Sequence, residues 1–448
     1  MNTLIKDSFL VVITKIASLV LGLISSIFFI RLLGPDGKGD LTIIEVGVGL
    51  FFLATTFNVN ISIVHFVAQK KLETDKLLGL IVSLFLASLA VTFLVIFSLQ
   101  LFGIANFVIP DSHPTLYLLL AMLLLGINEI KEFLSAFLRG AKSFEDLYKS
   151  TLVYAVFRLL LFIGLYLLFT YKGVHFSTPV LIGFHLLTLL VITLSIFRFF
   201  SKKYTVRPNF RYTYDEVKPF VLFSLFGLLT ALLNFLSLKM DIWFVEWFEG
   251  TTQLGFYAVA LGLGEMVSQV PASLRTVLLP YLSGSKDKKE QVKTLSFFSK
   301  ITCSATLFIA LSLYFMASFL IPLMYGDTFI PAITPFKIIL FAMVVFGFKA
   351  IFVMYNVAAE RQRFNIYSNI IGIVSLVPLC FLFIPDYGIV GAAYAVLVSY
   401  TVSALYIFIN VLVSKELPLV NYFIITPSDV VKAKAFLLSK LPKNNPPS

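Results

Sequence analysis

The stretch FIRLLGPDGKGDLTI, residues 29–43, lies between two long apolar runs and packs three glycines and a proline into a few positions. An altered copy, FVEWFEGTTQLGFYAVA, stands at residues 244–260. An offset of 216 residues (34 to 250) pairs Gly34 with Gly250 and Gly39 with Gly255. The same offset pairs Ser8 with Ser224, Thr14 with Thr230 and Leu41 with Tyr257. Polar and glycine positions match along with apolar ones, so the chain reads as two copies of one unit.

The apolar runs decide what that unit is. Of the 448 residues, 59% are hydrophobic and 13% charged, too few charges to cover a water-soluble surface of this size. A helix needs roughly 20 apolar residues to cross a bilayer. Spans of that length are expected at 9–33, 41–64, 77–102, 115–138, 150–170, 179–200, 217–246, 254–275, 295–322, 331–357, 366–384 and 388–413. The first is too long for the core of a signal peptide and has no A-x-A cleavage site after it, so it reads as a retained helix. Cys303 and Cys380 both fall in apolar runs, which gives no sign of a disulfide framework.

Alternate connections carry very different charge. One side of the membrane takes 26 of the 35 basic residues, with clusters such as Lys70, Lys71 and Lys76 or Arg198, Lys202 and Lys203. The other side has Arg31, Lys38 and Lys172. The positive-inside rule makes the first side cytoplasmic and puts both termini there. The net charge of +11 is then a topology signal and not a nucleic-acid footprint, since no basic soluble domain exists to carry one.

Further along, GAKSF (140–144) resembles ERQRF (360–364), and YKGV (171–174) resembles DYGI (386–389). Each repeat therefore holds six spans. An even number starts both repeats on the same face, which makes them parallel. The expected fold is an all-α membrane protein of about twelve helices, in two parallel six-helix bundles around a central cavity. The expected divisions are 1–213, 214–414 and a basic tail, 415–448. In that tail TPSDVVKAKAFLLSKL (426–441) reads as an interfacial amphipathic helix that binds anionic membrane lipid.

Polar stripes mark the faces turned inward. Ser224, Gly227, Thr230, Asn234, Ser237 and Asp241 follow one another at helical spacing. So do Asn128, Glu132, Ser135 and Arg139, and Gly262, Glu265 and Gln269. Small and hydroxyl residues also serve as packing contacts between helices, so the ionisable members carry the argument. A charge at mid-membrane costs roughly 3 kcal/mol unless it meets a partner or water. Arg158, Glu265 and Lys349 lie deepest, with Lys15 nearer the cytoplasmic face; these four are expected to line the cavity. Glu45 and Lys337 lie close enough to helix ends to snorkel, and Glu129, Lys131 and Glu132 are placed to neutralise one another. Structural ion pairs, such as Arg158 with Glu129, are the competing assignment. Asp241 and Glu265, on stripes of neighbouring spans, are the expected ion-coupling residues, for a proton or sodium.

No phosphate loop, H-E-x-x-H or C-x-x-C motif occurs, and no nucleophile–base constellation is legible. No metal or cofactor is expected, and no catalytic residue. With these residues in hand, the chain resembles the polysaccharide-biosynthesis flippases of the multidrug/oligosaccharidyl-lipid/polysaccharide exporter superfamily. The resemblance rests on FIRLLGPDGKGDLTI, on MDIWFVEWFEGTTQLGFYAVA, on LLPYLS (278–283) and on AAERQRFNIY (358–367). It implies movement of an undecaprenyl-pyrophosphate-linked saccharide from the inner to the outer leaflet of a bacterial plasma membrane by alternating access, alongside a polysaccharide polymerase and glycosyltransferases. On that reading Lys15, Arg158 and Lys349 supply positive charge to the pyrophosphate, with Lys239 nearer the outer face. Asn234 and Asn356 supply amides to the same site. A multidrug/cation antiporter of the same superfamily, a lipid II flippase and a membrane glycosyltransferase or polymerase are the alternatives.

Overall fold

The computed structural model describes residues 2–70, 72–103, 108–110, 114–204, 207–284 and 288–413; residues 2–16, 226, 413 and several between 276 and 292 are described by their backbone only. The expected tail helix, 426–441, lies outside the described residues. The described helices are α1 (Asn2–Thr56), α2 (Val59–Gln69), α3 (Thr74–Leu101), α4 (Pro114–Gly140), α5 (Phe144–Lys172), α6 (Thr178–Lys203), α7 (Tyr214–Val267), α8 (Gln269–Gly284), α9 (Lys288–Tyr325), α10 (Ile333–Ala358) and α11 (Gln362–Val413). No strand occurs among the described residues.

Eight stretches are long and apolar enough to cross a bilayer. The chain is a multi-pass membrane protein. Eight stand where twelve spans are expected because three of them, Ala17–Thr56, Tyr214–Arg275 and Gln362–Leu412, run on through a break. α4, which carries Glu129, Lys131 and Glu132, is not among the eight. Each break is a glycine with positive φ: Gly34 (65°), Gly250 (78°) and Gly388 (57°). Side-chain-bearing residues adopt that region only at a steric cost. Gly34 and Gly250 also share an extended ψ, −176° and 178°. The repeat read from the sequence is thus a repeat of backbone conformation. Pro35 opens the next helical stretch, where its missing N–H is no loss.

A second correspondence needs a correction. After α4 the chain closes with Ala141 N–H to Phe137 O, Lys142 N–H to Arg139 O and Ser143 N–H to Leu138 O, at 2.9, 3.0 and 2.8 Å. After α10 the same three bonds run from Ala359, Glu360 and Arg361 to Tyr355, Val357 and Asn356, at 2.9, 3.2 and 2.7 Å. Lys142 and Glu360 both take φ 57°. The true offset here is 218 residues (141 to 359), so the GAKSF–ERQRF pairing is two residues out of register. A left-handed helix cap, not residue similarity, fixes the match.

The chain divides into two compact units, one running to Ala258 and including Ile321–Pro331, the other made of Val259–Leu320 and the chain from Ala332. The first part of α7 groups with α1–α6. The first unit's core gathers Ile63, Leu77, Phe137, Phe200 and Phe220, all buried. In the second, Leu278, Leu282, Ile351, Phe352 and Ile407 do the same from α8, α10 and α11. Lipid tails are as apolar as leucine, so close packing rather than water exclusion holds such helices together. Large apolar side chains left outward, such as Leu94, Leu160, Phe308 and Phe315, suit the hydrocarbon. At the start of α7, Thr213 N–H donates to Glu216 Oε2 at 2.8 Å, the back-reaching half of a capping box, while Lys76 Nζ meets Glu216 Oε1 at 2.6 Å.

Candidate functional site

In the first unit a cavity of about 420 Å³ opens between α1, α4 and α6. Its polar lining is Glu45 from α1, Asn128, Lys131 and Glu132 from α4, and His185 from α6; Gly49, Phe52 and Leu124 supply apolar wall. Helical spacing explains the α4 contribution, since residues 128, 131 and 132 share a face. Lys131 Nζ donates to Asn128 Oδ1 at 2.9 Å and lies 3.5 Å from Glu132 Oε1, which belongs to a carboxylate that also stands 3.7 Å from Arg139. Across the cavity Glu45 Oε1 lies 3.6 Å from His185 Nε2. His185 Nδ1 is buried without a partner.

Arg158, on α5, stands beside this cavity. Its guanidinium lies 5.8–6.0 Å from the rings of Phe29, Tyr154 and Phe162. Phe29 in turn stacks on His185 at 5.5 Å. Nη1 reaches Tyr154 Oη at 3.4 Å, and Nε is buried with no partner. An arginine held by aromatic faces and short of hydrogen bonds keeps donors in reserve for an anion.

The other expected site residues fall elsewhere. Lys349, on α10 in the second unit, is buried and donates to Asn369 Oδ1 at 3.1 Å and Ser403 Oγ at 3.2 Å, both neutral. Asn356 is 1% exposed and donates to Asn365 Oδ1 at 2.9 Å. Glu265, on α7, is half-buried in the same unit. In the first unit Asn234 is exposed, Lys239 half-buried, and Asp241 buried with Tyr257 Oη donating to it at 2.6 Å. The Lys15 side chain lies outside the described residues. None of the expected cations whose side chains are described lines the first-unit cavity; Arg158 stands behind Phe29, whose ring stacks on the lining residue His185.

Two readings of buried charge need correcting. Glu45 does not snorkel from a helix end; it faces the cavity opposite His185. Glu129 forms no ion pair with Lys131, which turns to Glu132, nor with any other basic residue among the described ones; its carboxyl meets Ser88 instead. Sequence reasoning found the α4 stripe from its spacing but missed His185, which stands alone on an apolar helix and sends no periodic signal.

The two glycine turns meet within the first unit. A Cβ on Gly39 would strike the carbonyl of Thr251, and one on Gly255 would strike the carbonyl of Pro35. Thr252 Oγ1 donates to Asp36 Oδ1. By the 216-residue offset Pro35 matches Thr251, Asp36 matches Thr252 and Gly39 matches Gly255. The contact is therefore reciprocal, each turn laying its carbonyl on the other's glycine, as a local two-fold relation requires.

From the first turn through the first residues of α10, residues 28–334, the chain matches the family described as polysaccharide biosynthesis protein. The chain belongs to that family. The matched segment holds the reciprocal turns and the ionic cavity, whereas Lys15, Lys349 and Asn356 fall beyond it. Among solved structures, it is similar to the lipid II flippase MurJ in an inward closed conformation, with 17% identity over 97% of this chain and 94% of that one, TM-score 0.71. It is also similar to an inward-facing multidrug resistance MATE family transporter of the MOP superfamily, with 13% identity over 94% and 96% of the two chains, TM-score 0.72. A MOP superfamily transporter from Pyrococcus furiosus, whose binding pocket is described as of reversed polarity, matches at 14% identity over 88% and 93%, TM-score 0.56. The polysaccharide biosynthesis chain thus has the fold of these transporters. No curated protein matches it. Among the described residues, no group of three His, Cys, Asp or Glu side chains is placed to hold a metal.

Proposed function

We propose that this chain is a transporter that moves an undecaprenyl-pyrophosphate-linked saccharide from the inner to the outer leaflet of a bacterial plasma membrane by alternating access. The family match over residues 28–334 carries the reading. The physical task suits the fold: the polyprenyl tail stays in lipid, while the sugar and pyrophosphate need a polar path to replace lost hydration. Arg158 supplies charge to the pyrophosphate, because its Nε has no partner and its guanidinium rests over aromatic rings. Lys15 and Lys239 are assigned the same electrostatic role and Asn234 an amide for the sugar; Lys349 and Asn356, buried against neutral partners in the arrangement seen here, are assigned a weaker share of those roles. Asp241 and Glu265 are assigned to ion coupling. The inside-negative potential favours outward passage of the diphosphate by about 2.3 kcal/mol per charge per 100 mV. Both termini face the cytoplasm, and the turns at Gly34 and Gly250 face outward. Polysaccharide polymerase and glycosyltransferases act on the product and precursor.

The test is reconstitution in liposomes with a labelled polyprenyl-pyrophosphate saccharide, scoring its appearance in the opposite leaflet. Loss of translocation in Arg158→Ala with partial return in Arg158→Lys supports the assignment; wild-type protein that moves no such lipid overturns it. A second reading, export of an organic cation, is favoured by the two carboxylates, Glu45 and Glu132, in a cavity with one lysine. Uptake of an organic cation in the same liposomes, without lipid translocation, would select it. Reporter fusions after Gly37 and Gly250 check the outward face, and fusions near Lys203 check the cytoplasmic one.

A further inference from the structure

We propose that Glu129 is a proton site: its carboxyl carries a proton in the arrangement seen here and releases it when α1, α3 and α4 move relative to one another. The number of hydrogens available to a buried chain of oxygens requires that proton. A chain of oxygens runs from Phe51 O to Thr55 Oγ1 at 2.6 Å, to Ser88 Oγ at 2.6 Å, and on to Glu129 Oε1. Three contacts need three hydrogens, one lying between each pair of oxygens. The hydroxyls of Thr55 and Ser88 supply two. Phe51 O is a carbonyl and supplies none. The third comes from the Glu129 carboxyl.

With that proton present the chain runs one way: Glu129 donates to Ser88, Ser88 to Thr55, and Thr55 to Phe51 O. Every contact is satisfied. With Glu129 ionised, Ser88 must turn its hydrogen to the carboxylate. Thr55 then bonds either Ser88 or Phe51 O, and the other contact becomes two facing lone pairs at 2.6 Å. Ionisation therefore loosens one link of a chain that joins three helices. Release of the proton and movement of α4 against α1 and α3 are one event, with the proton leaving as a hydrated ion.

The surroundings hold the charge state in balance. Glu129 is fully buried, and its second oxygen, Oε2, has no partner. A carboxylate there would have one hydrogen bond and no counter-charge, an arrangement buried carboxylates rarely tolerate. The titratable groups nearby are few. α1 presents Glu45 and α6 presents His185, both to the adjoining cavity, as do Lys131 and Glu132 of α4 itself. α5 presents Arg158, held over Phe29 and Phe162. α2 carries His65, which stacks on Phe223 at 4.5 Å. α3 has Asp75 and Lys76 in its first turn and no other charge. Asn128, Lys131 and Glu132 line the cavity from one side of Glu129 on α4, with Glu132 about 60° round the helix, so the carboxyl reaches that cavity only when α4 turns substantially.

What the proton is coupled to rests on the transport reading; that Glu129 holds it does not. The first measurement is infrared absorption of the purified protein in detergent across a pH series, comparing wild type with Glu129→Gln. A protonated-carboxyl C=O band present in wild type and missing in Glu129→Gln supports the site; identical bands in both overturn it. Glutamine keeps a donor toward Ser88, so the variant holds the three-helix chain as the protonated acid does. The second measurement is translocation of the labelled lipid in liposomes with and without a pH gradient. Wild type is expected to respond to the gradient, and Glu129→Gln to lose that response while retaining downhill exchange. Ser88→Ala is expected to weaken the response, because the chain is cut. A gradient response unchanged in Glu129→Gln, or none in a wild type that translocates, overturns the coupling and leaves the transport reading standing. Absence of translocation altogether overturns the transport reading, and the infrared band still decides the proton.

Discussion

α4 and α10 are the same helix of the two repeats, yet they treat charge in opposite ways. By the 218-residue offset Lys131 matches Lys349, Glu129 matches Gly347 and Glu132 matches Ala350. The lysine is common to both and the acids belong to the first alone. On α4 the lysine borders an open cavity among carboxylates. On α10 it is sealed in, with an amide and a hydroxyl as partners, and Gly347 lets the Pro271 side chain of α8 come close. The difference teaches that a repeat duplicates backbone and packing positions while leaving each copy free to become wet or dry. Where a residue without a side chain admits a neighbouring helix, no room remains for the acid that the other repeat carries at that position.

The sharpest way to break this comparison is to give α10 the acid of α4. Gly347→Glu pushes a side chain into Pro271, whose Cγ would lie 2.8 Å from the new Cβ, and buries a carboxylate. We expect a loss of about 3–5 kcal/mol, enough to abolish folded protein on size-exclusion chromatography. Recovery of wild-type yield would mean α10 can open as α4 does. Next in size is Asn356→Ala, which leaves Asn365 Oδ1 short of a donor inside the dry bundle. A fall of about 1–2 kcal/mol in thermal stability is expected.

A smaller effect separates the two lysines. Lys349→Met leaves two neutral acceptors and no orphaned carboxylate, so its stability should change by about 1 kcal/mol or less. Lys131→Met leaves Glu132 with Arg139 at 3.7 Å, and costs about 0.5 kcal/mol or less, as half-exposed pairs do. The functional order is reversed: Lys131→Met, at the cavity, should reduce lipid translocation more than Lys349→Met in the same liposome assay. Equal losses from both would erase the distinction between a wet α4 and a dry α10.

Much of this was legible in the residues. The glycine turns at 34 and 250, the α4 stripe and the deep position of Arg158 all follow from spacing and composition. The placement of Lys349 does not, since an apolar run with one lysine reads the same whether the lysine faces water or an asparagine. The direction of Glu45 is hidden from the sequence for a related reason. Distance from a helix end, counted in residues, suggests snorkelling, but His185 comes from 140 positions away (45 to 185) and fixes the direction in which Glu45 points.

By itself the sequence determined that the chain is a multi-pass α-helical membrane protein built as a repeat, because hydrocarbon admits only backbone that satisfies its own hydrogen bonds, and because a positive-φ turn selects glycine twice. Only the tertiary structure decided which buried polar groups meet. Thr55, Ser88 and Glu129 lie on three helices, 33 and 41 residues apart along the chain. Helical periodicity reports which face each residue occupies, but not which face of another helix lies against it. A hydrogen bond depends on that second fact, since it fails within a fraction of an ångström and a few tens of degrees.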